Sequence, residues 1–226
     1  MAKRKLVILS LGGSIIVPDR IDTAFLKEFR STLLSLLPKY RFIIVCGGGK
    51  VCRDYIAAAK SVREFDDKVY DHLGIKITEA NAQLVLSVLH DVAHAPIHPD
   101  YRDVVAFADV LIGCGFLPGT STDFDAVKFA EHYGGDTVIN LSNIAFVYDK
   151  DPKKHKEAKR IERISWGEFR KLVGDEWKAG MNLPFDPIAS KRCEELGIRV
   201  VIMDGRNLQN FRHYLGGKGF QGTVIG

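Results

Sequence analysis

Residues 42–50 read FIIVCGGGK. Five consecutive apolar residues run into three glycines and then into a helix-compatible stretch. Five residues is strand length, and a strand apolar on both faces belongs in a sheet covered on both sides. Gly47, Gly48 and Gly49 end the strand, and a helix is predicted from Lys50 to about Ala59, with Arg53 in its early turns. Strand, glycine turn and helix together form the repeating unit of an α/β protein with a mostly parallel sheet.

The same unit recurs on both sides of this stretch. Upstream, residues 5–11, KLVILSL, are a strand that stops at Gly12, Gly13 and Ser14. Asp22 or Thr23 then caps a helix to about Leu37, with Phe25, Phe29 and Leu33 on one face, and Pro38 stops it. Downstream, residues 60–75 read as irregular, and a helix is expected from about Lys76 to His90. Residues 93–106 carry Pro96 and Pro99 and match no element. Further strands are expected at 109–113, 136–141 and 198–203, with a short terminal one at 222–224. Helices are expected at 123–132, 168–173 and 186–196, the last opened by Asp186 and Pro187. Residues 143–160 are polar and basic. No repeat or linker divides the chain, so one domain over residues 1–226 is expected.

Composition removes several classes of function. With 46% hydrophobic and 27% charged residues, the chain has enough apolar surface to order itself. Cys46, Cys52, Cys114 and Cys193 are scattered, without zinc spacing, and suit a reducing compartment. No segment reaches the roughly 20 apolar residues of a membrane helix, and the N-terminal apolar run is too short for a secretory signal. A cytoplasmic protein without a membrane partner is expected. The net charge of +4 is mild, and its main basic cluster, KDPKKHKEAKR at 150–160, reads as a solvated loop or as a neighbour of phosphates. Nucleic acid is not expected as a partner.

Three glycine-rich segments lie at strand ends, where ligands of open α/β sheets bind. At Gly12-Gly13-Ser14 the backbone can approach a ligand closely and offer amides to phosphate oxygens. Gly47-Gly48-Gly49 precedes a helix, whose free amides suit an anion, and Arg53 one turn later adds a forked cation. The third segment, Gly119-Thr120-Ser121-Thr122-Asp123, is rich in hydroxyls. Thr122 or Asp123 caps the next helix, the other hydroxyls suit a base or a phosphate, and Asp123 can orient groups through magnesium-bound water. Tight turns alone also explain each run, but three in one chain favour a phosphate-handling site. Walker spacing, a dinucleotide fingerprint, a serine elbow and a zinc-binding helix are all absent. Pro96 between His94 and His98 argues against a metal pair, and no metal-ligating residue is assigned.

In order, the chain carries SLGGS at 10–14, VCGGGK with Arg53, YDHLGI at 70–75, PGTSTD at 118–123, NIAFVYDKDPKK at 143–154 and GTVIG at 222–226. In these pieces and their spacing it resembles the uridylate kinases of the amino acid kinase superfamily, archaeal type. The resemblance implies a three-layer α/β/α sandwich, assembled as a homo-hexamer, that uses ATP and Mg2+ to phosphorylate UMP. It places Gly13 and Ser14 at the ATP phosphates, and Gly49 and Arg53 near the transferred group. Ser142, Asn143, Tyr148 and Asp151 fall in the ATP nucleoside pocket. Gly48 falls at the UMP phosphate and Asp71 on UMP, while Gly115, Phe116, Leu117, Pro118, Gly119, Thr120 and Ser121 hold the monophosphate with Thr122 beside them. Arg53 and Asp123 are the expected catalytic residues.

The chain also departs from the family. Ser10 stands where many relatives carry a lysine, and Gly180-Met181 is followed by Asn182, Leu183 and Pro184, without the second lysine. Phe146 replaces a glycine, and Phe116 and Leu117 are apolar where relatives are more polar. Two other readings therefore stay open: a kinase of this fold with a different acidic acceptor, and a non-catalytic nucleotide-binding or storage protein.

Overall fold

The structure is a computed structural model and describes residues 4–174, 176 and 183–226. The chain begins with β1 (Lys5–Leu11), a one-turn helix α1 (Gly13–Ile16), α2 (Thr23–Leu36) and β2 (Tyr40–Cys46). It continues through α3 (Gly49–Val62), α4 (Asp67–Val88), β3 (Val110–Gly113), α5 (Thr122–Tyr133) and β4 (Thr137–Ser142). The short strands β5 (Val147–Tyr148), β6 (Arg160–Ile161) and β7 (Arg163–Ile164) follow. The last elements are α6 (Trp166–Val173), α7 (Pro187–Leu196), β8 (Arg199–Asp204), α8 (Leu208–Leu215) and β9 (Thr223–Ile225).

Seven of these strands form one sheet in the order β3-β2-β1-β4-β8-β9-β7. All neighbours are parallel except β8 and β9. The alternation of side chains explains the two cores. Leu9, Leu11, Phe42, Ile44 and Leu141 face a layer built from α2, α4 and α8. Ile8, Ile43, Val45, Val138 and Val200 face the opposite layer, built from α5, α6 and α7. The architecture is the expected α/β/α sandwich around a mostly parallel sheet.

Register positions the site. Leu11 pairs with Cys46 on one side and with Leu141 on the other, so β1, β2 and β4 end level. Gly12 and Gly47 therefore leave the sheet together, beside Ser142, the last residue of β4. The amide of Gly47 donates to the Leu11 carbonyl at 2.9 Å, and that of Gly12 to the Leu141 carbonyl at 2.9 Å.

Several expectations are corrected. Helix α4 starts at Asp67, not near Lys76, and its cap is Asp66, whose carboxylate accepts from the Lys68 amide. Before Thr78 only Tyr70 of this helix is buried, so its first turns show no apolar stripe to betray them. Helix α3 likewise runs on to Val62, past Ala59. The cap of α5 is Ser121, which accepts from the Phe124 amide at 3.3 Å; neither Thr122 nor Asp123 serves, and Asp123 is left for the cavity. The first glycine turn opens directly into α1. The basic stretch after Val147 returns to pair as a β5–β6 hairpin. Helix α8 was not expected. The missing-lysine region at Gly180, Met181 and Asn182 lies outside the described residues.

Candidate functional site at the two glycine turns

The turns at Gly12–Ser14 and Gly47–Gly49 touch backbone to backbone. A Cβ on Gly13 would overlap the Gly47 carbonyl and the Gly49 amide, and one on Gly49 would overlap Gly13 and the Ser14 amide. Gly49 also sits at φ +62°, the left-handed region that glycine adopts at no steric cost. Glycine is thus required at both contacts by close approach, not merely by turning. The amides that start α1 and α3 are brought to one place, and α3 is long enough to present a partial positive charge there.

Arg53, one turn into α3, reaches across the junction, and its Nη2 donates to Ser14 Oγ at 3.3 Å. It is half-buried and lines a cavity of about 650 Å³. Gly13, Ser14, Gly48, Gly49, Thr122 and Asp123 line the same cavity. So do Ser142, Asn143, Tyr148 and Asp151, the expected nucleoside side. Asp151 is exposed, and its carboxylate closes its own turn by accepting from the Lys153 amide at 2.9 Å. Phe146 is 8% exposed, lines the cavity wall and stacks beneath the Arg160 guanidinium at 5.1 Å. Lys150 and Lys153 of the β5–β6 hairpin also face the cavity, so part of the basic cluster lies beside the site.

Asp123 lies on the cavity floor. Its Oδ1 accepts from Ser10 Oγ at 2.7 Å and from Asn140 Nδ2 at 3.0 Å. Burial pushes its carboxyl up to about 7, and the nearby Asp186 adds to this, while the Ser10 bond opposes it. Burial also raises Asp186 and holds Asp125 well above the usual carboxylate range. Both Asp125 oxygens are buried without a hydrogen bond among the described residues; the Phe116 amide favours its ionised form without reaching good geometry. Of the three carboxyls only Asp123 lines the cavity; Asp125 and Asp186 are buried and do not line it, and burial favours the protonated form of each.

The other expected acceptor residues lie outside this cavity: Asp71 on α4, and residues 115–121 in the neighbouring loop that enters α5. The Gly119 amide donates to Asp71 Oδ2 at 2.7 Å, so Asp71 holds the loop. Thr120 Oγ1 donates to the Leu117 carbonyl at 2.8 Å, and the Gly115 amide donates to Thr78 Oγ1 at 2.9 Å. Phe116 packs edge-on to Tyr101 at 5.5 Å, beneath the Arg102 guanidinium at 4.8 Å. That contact places Phe116 against the α5–α7 core. Leu117 is 37% exposed and Pro118 is half-buried.

Ser10 and Asn140 were not singled out by sequence as partners of Asp123. The available signal was a lone polar residue inside an apolar strand, in KLVILSL and in TVINL. A buried polar side chain in such a run needs a hydrogen-bond partner. In the sequence Asp186 is marked only as a helix opener; it is that too, accepting from the Ala189 amide at 2.6 Å.

Residues 5–204 match the family model described as the amino acid kinase family. The chain is 35% identical over 223 residues to a uridylate kinase of Methanospirillum hungatei, covering 97% of this chain and 94% of that protein. It is 32% identical to a uridylate kinase of Thermococcus sibiricus over 97% of this chain and 98% of that one. The crystal structure of a uridylate kinase from Archaeoglobus fulgidus superposes with a TM-score of 0.83 at 30% identity, covering 98% of this chain and all of the other. A UMP kinase structure from Ureaplasma parvum shares the fold, with a TM-score of 0.76 at 19% identity.

Proposed function

We propose, since this chain belongs to the amino acid kinase family, that it is an ATP-dependent kinase converting UMP and ATP to UDP and ADP. The observation that carries the reading is the backbone contact of the two glycine turns, with Arg53 bridging them and Asp123 beneath. A donor phosphate chain on one turn and an acceptor phosphate on the other would meet end to end, the arrangement an in-line transfer needs.

An oxygen of the UMP phosphate attacks the γ-phosphorus of ATP, and the bond to the ADP oxygen breaks. The attacking oxygen is already anionic, so no strong base is required. Amides at Gly13, Ser14 and Gly49 and the fork of Arg53 compensate the charge that moves among phosphate oxygens. Ser142, Asn143, Tyr148 and Asp151 hold the ATP nucleoside. Asp71 and the loop Gly115–Ser121, with Thr122, hold the UMP side, and Gly48 meets its phosphate. Ser10, standing where many relatives carry a lysine, and Asn140 both donate to Asp123 and fix it.

Magnesium suits this floor. A cation alongside would favour the ionised form of Asp123, which then supplies a hard carboxylate oxygen, and among the described residues no three His, Cys, Asp or Glu gather into a metal cage. A cation held by one carboxylate and the substrate phosphates fits that donor set. When bound, Mg2+ neutralises phosphate charge.

The chain works as a homo-oligomer, a hexamer by the family resemblance, and in the cytoplasm. Free Cys46, Cys52, Cys114 and Cys193 suit a reducing compartment. Among the described residues no helix is long and apolar enough to cross a membrane. The test is product analysis by ion-exchange chromatography after incubation with ATP, magnesium and UMP, beside CMP, carbamate, aspartate and isopentenyl phosphate. UDP is the expected product. Turnover of a different acceptor alone, or of none, would sink the reading.

A further inference from the structure

Helix α4 carries two buried polar side chains that the reaction as described does not use. Thr78 and Asn81 are each 6% exposed and lie three residues apart, on one face of the helix. A buried polar group in a helix interior costs stability unless it is hydrogen-bonded. Both are bonded, and each makes one bond to the backbone of a glycine of the site's loops, Gly47 or Gly115. Asn81 Nδ2 donates to the Gly47 carbonyl at 2.8 Å. Thr78 Oγ1 donates to the Ile75 carbonyl at 2.7 Å and so keeps a lone pair for the Gly115 amide at 2.9 Å. Asp71, seven residues before Thr78 and on the same face, takes the Gly119 amide.

One rigid helix thus grips the phosphate turn through Asn81 and the far loop at both ends, through Thr78 and Asp71. The phosphate turn in turn presses on Gly13 of the ATP-side turn. A continuous path of short contacts joins the donor turn, the acceptor turn, α4 and the loop. A Cβ on Gly115 would stand 2.9 Å from Thr78 Oγ1, so the loop cannot come this close without glycine there.

The geometry points to Thr78 and Asn81 as positioning residues that set the distance between donor and acceptor, using α4 as the common ruler. The inference rests on the reading that residues 115–121 hold the acceptor. Neither side chain touches a nucleotide in this scheme. Both act through the backbone they hold, and a displacement of about 1 Å at such a site costs on the order of 100-fold in rate.

The test uses the full chain with Thr78→Val, Thr78→Ser and Asn81→Leu. Valine keeps the shape of threonine and removes its hydroxyl; serine keeps the hydroxyl. Amide hydrogen exchange over residues 114–120 should be faster in Thr78→Val than in the parent, and restored in Thr78→Ser. The Michaelis constant for UMP should rise roughly 2- to 13-fold in Thr78→Val, the span of one neutral hydrogen bond, with that for ATP within about 2-fold. Asn81→Leu frees the turn that faces both phosphates, and should lower kcat by about 10-fold or more with a smaller change in either Michaelis constant.

Unchanged exchange over 114–120 in Thr78→Val overturns the proposal whatever the acceptor is. So does faster exchange with unaltered UMP kinetics, or a failure of Thr78→Ser to restore what valine loses. A parent protein that does not turn over UMP defeats the acceptor reading instead, and exchange over 114–120 then decides by itself whether Thr78 holds the loop.

Discussion

Among the described residues the Arg53 side chain makes a single long bond, to Ser14 Oγ at 3.3 Å, from a half-buried position on the cavity wall. Little of the fold depends on it, yet its fork faces the place where phosphate charge would shift. Arg53→Ala should lower turnover by about 10-fold or more, the scale of one lost transition-state contact, while the thermal midpoint stays close to the parent's. Unchanged turnover would remove Arg53 from the site. Asp123 behaves differently, because its cost is carried by the fold. Folded, its carboxyl keeps its proton up to about pH 7; unfolded, it releases it near the ordinary value of 3.8. Between those limits the folded state binds more protons, so stability falls as pH rises from about 4 to about 7 and is level on either side. Asp186 and Asp125, also raised, act with the same sign. Asp123→Asn removes the Asp123 share. Its gain in thermal midpoint over the parent, without nucleotide, should be larger at pH 8 than at pH 4, and equal gains at both would contradict the raised carboxyl.

At the scale of the element, the loop 115–121 is held from four sides. Thr78 takes Gly115, Asp71 takes Gly119, Tyr101 packs on Phe116, and Ser121 caps α5. Within it, Thr120 closes a turn on Leu117. Thr120→Val opens that turn and removes a hydroxyl from the acceptor side, so the UMP Michaelis constant should rise roughly 2- to 13-fold with that for ATP within about 2-fold. Equal loss for both nucleotides in steady-state kinetics would indicate general damage. A change for ATP alone would exchange the two nucleotide sites. Phe116, lodged between Tyr101 and Arg102, contributes to this loop by anchoring it to the core.

Across the whole molecule, large apolar side chains are exposed where α3 gives way to α4. Val62 is 86% exposed, Tyr55 54%, Val69 46% and Phe65 43%. Isolated apolar residues on a surface are ordinary, but a group at the meeting of two helices is the kind of patch that partners cover. On the homo-oligomeric reading proposed above, with this patch buried between copies, light scattering after size exclusion should give a mass well above the 25.2 kDa of one chain. The double variant Val62→Lys, Val69→Lys should shift it downward. A monomeric parent would overturn the assembly.

The sequence alone determined the α/β class, because the apolar runs at 5–11, 42–46, 109–113, 136–141 and 198–203 admit little but strands between helices. It also marked the three glycine-rich segments, since their composition is conspicuous without any partner. What it could not supply was pairing. That Gly13 meets Gly49 follows from the level ends of β1 and β2, a matter of register between distant strands. That Ser10 and Asn140 converge on Asp123 follows from β1 and β4 lying side by side beneath α5. The first turns of α4 carry no apolar stripe and escaped periodicity for that reason. The roles of Thr78 and Asn81 were invisible because a lone hydroxyl or amide in a helix says nothing until the backbone it holds is in place. Local pattern sets which elements form, while hydrogen bonds between residues more than 30 apart set where the site's groups point.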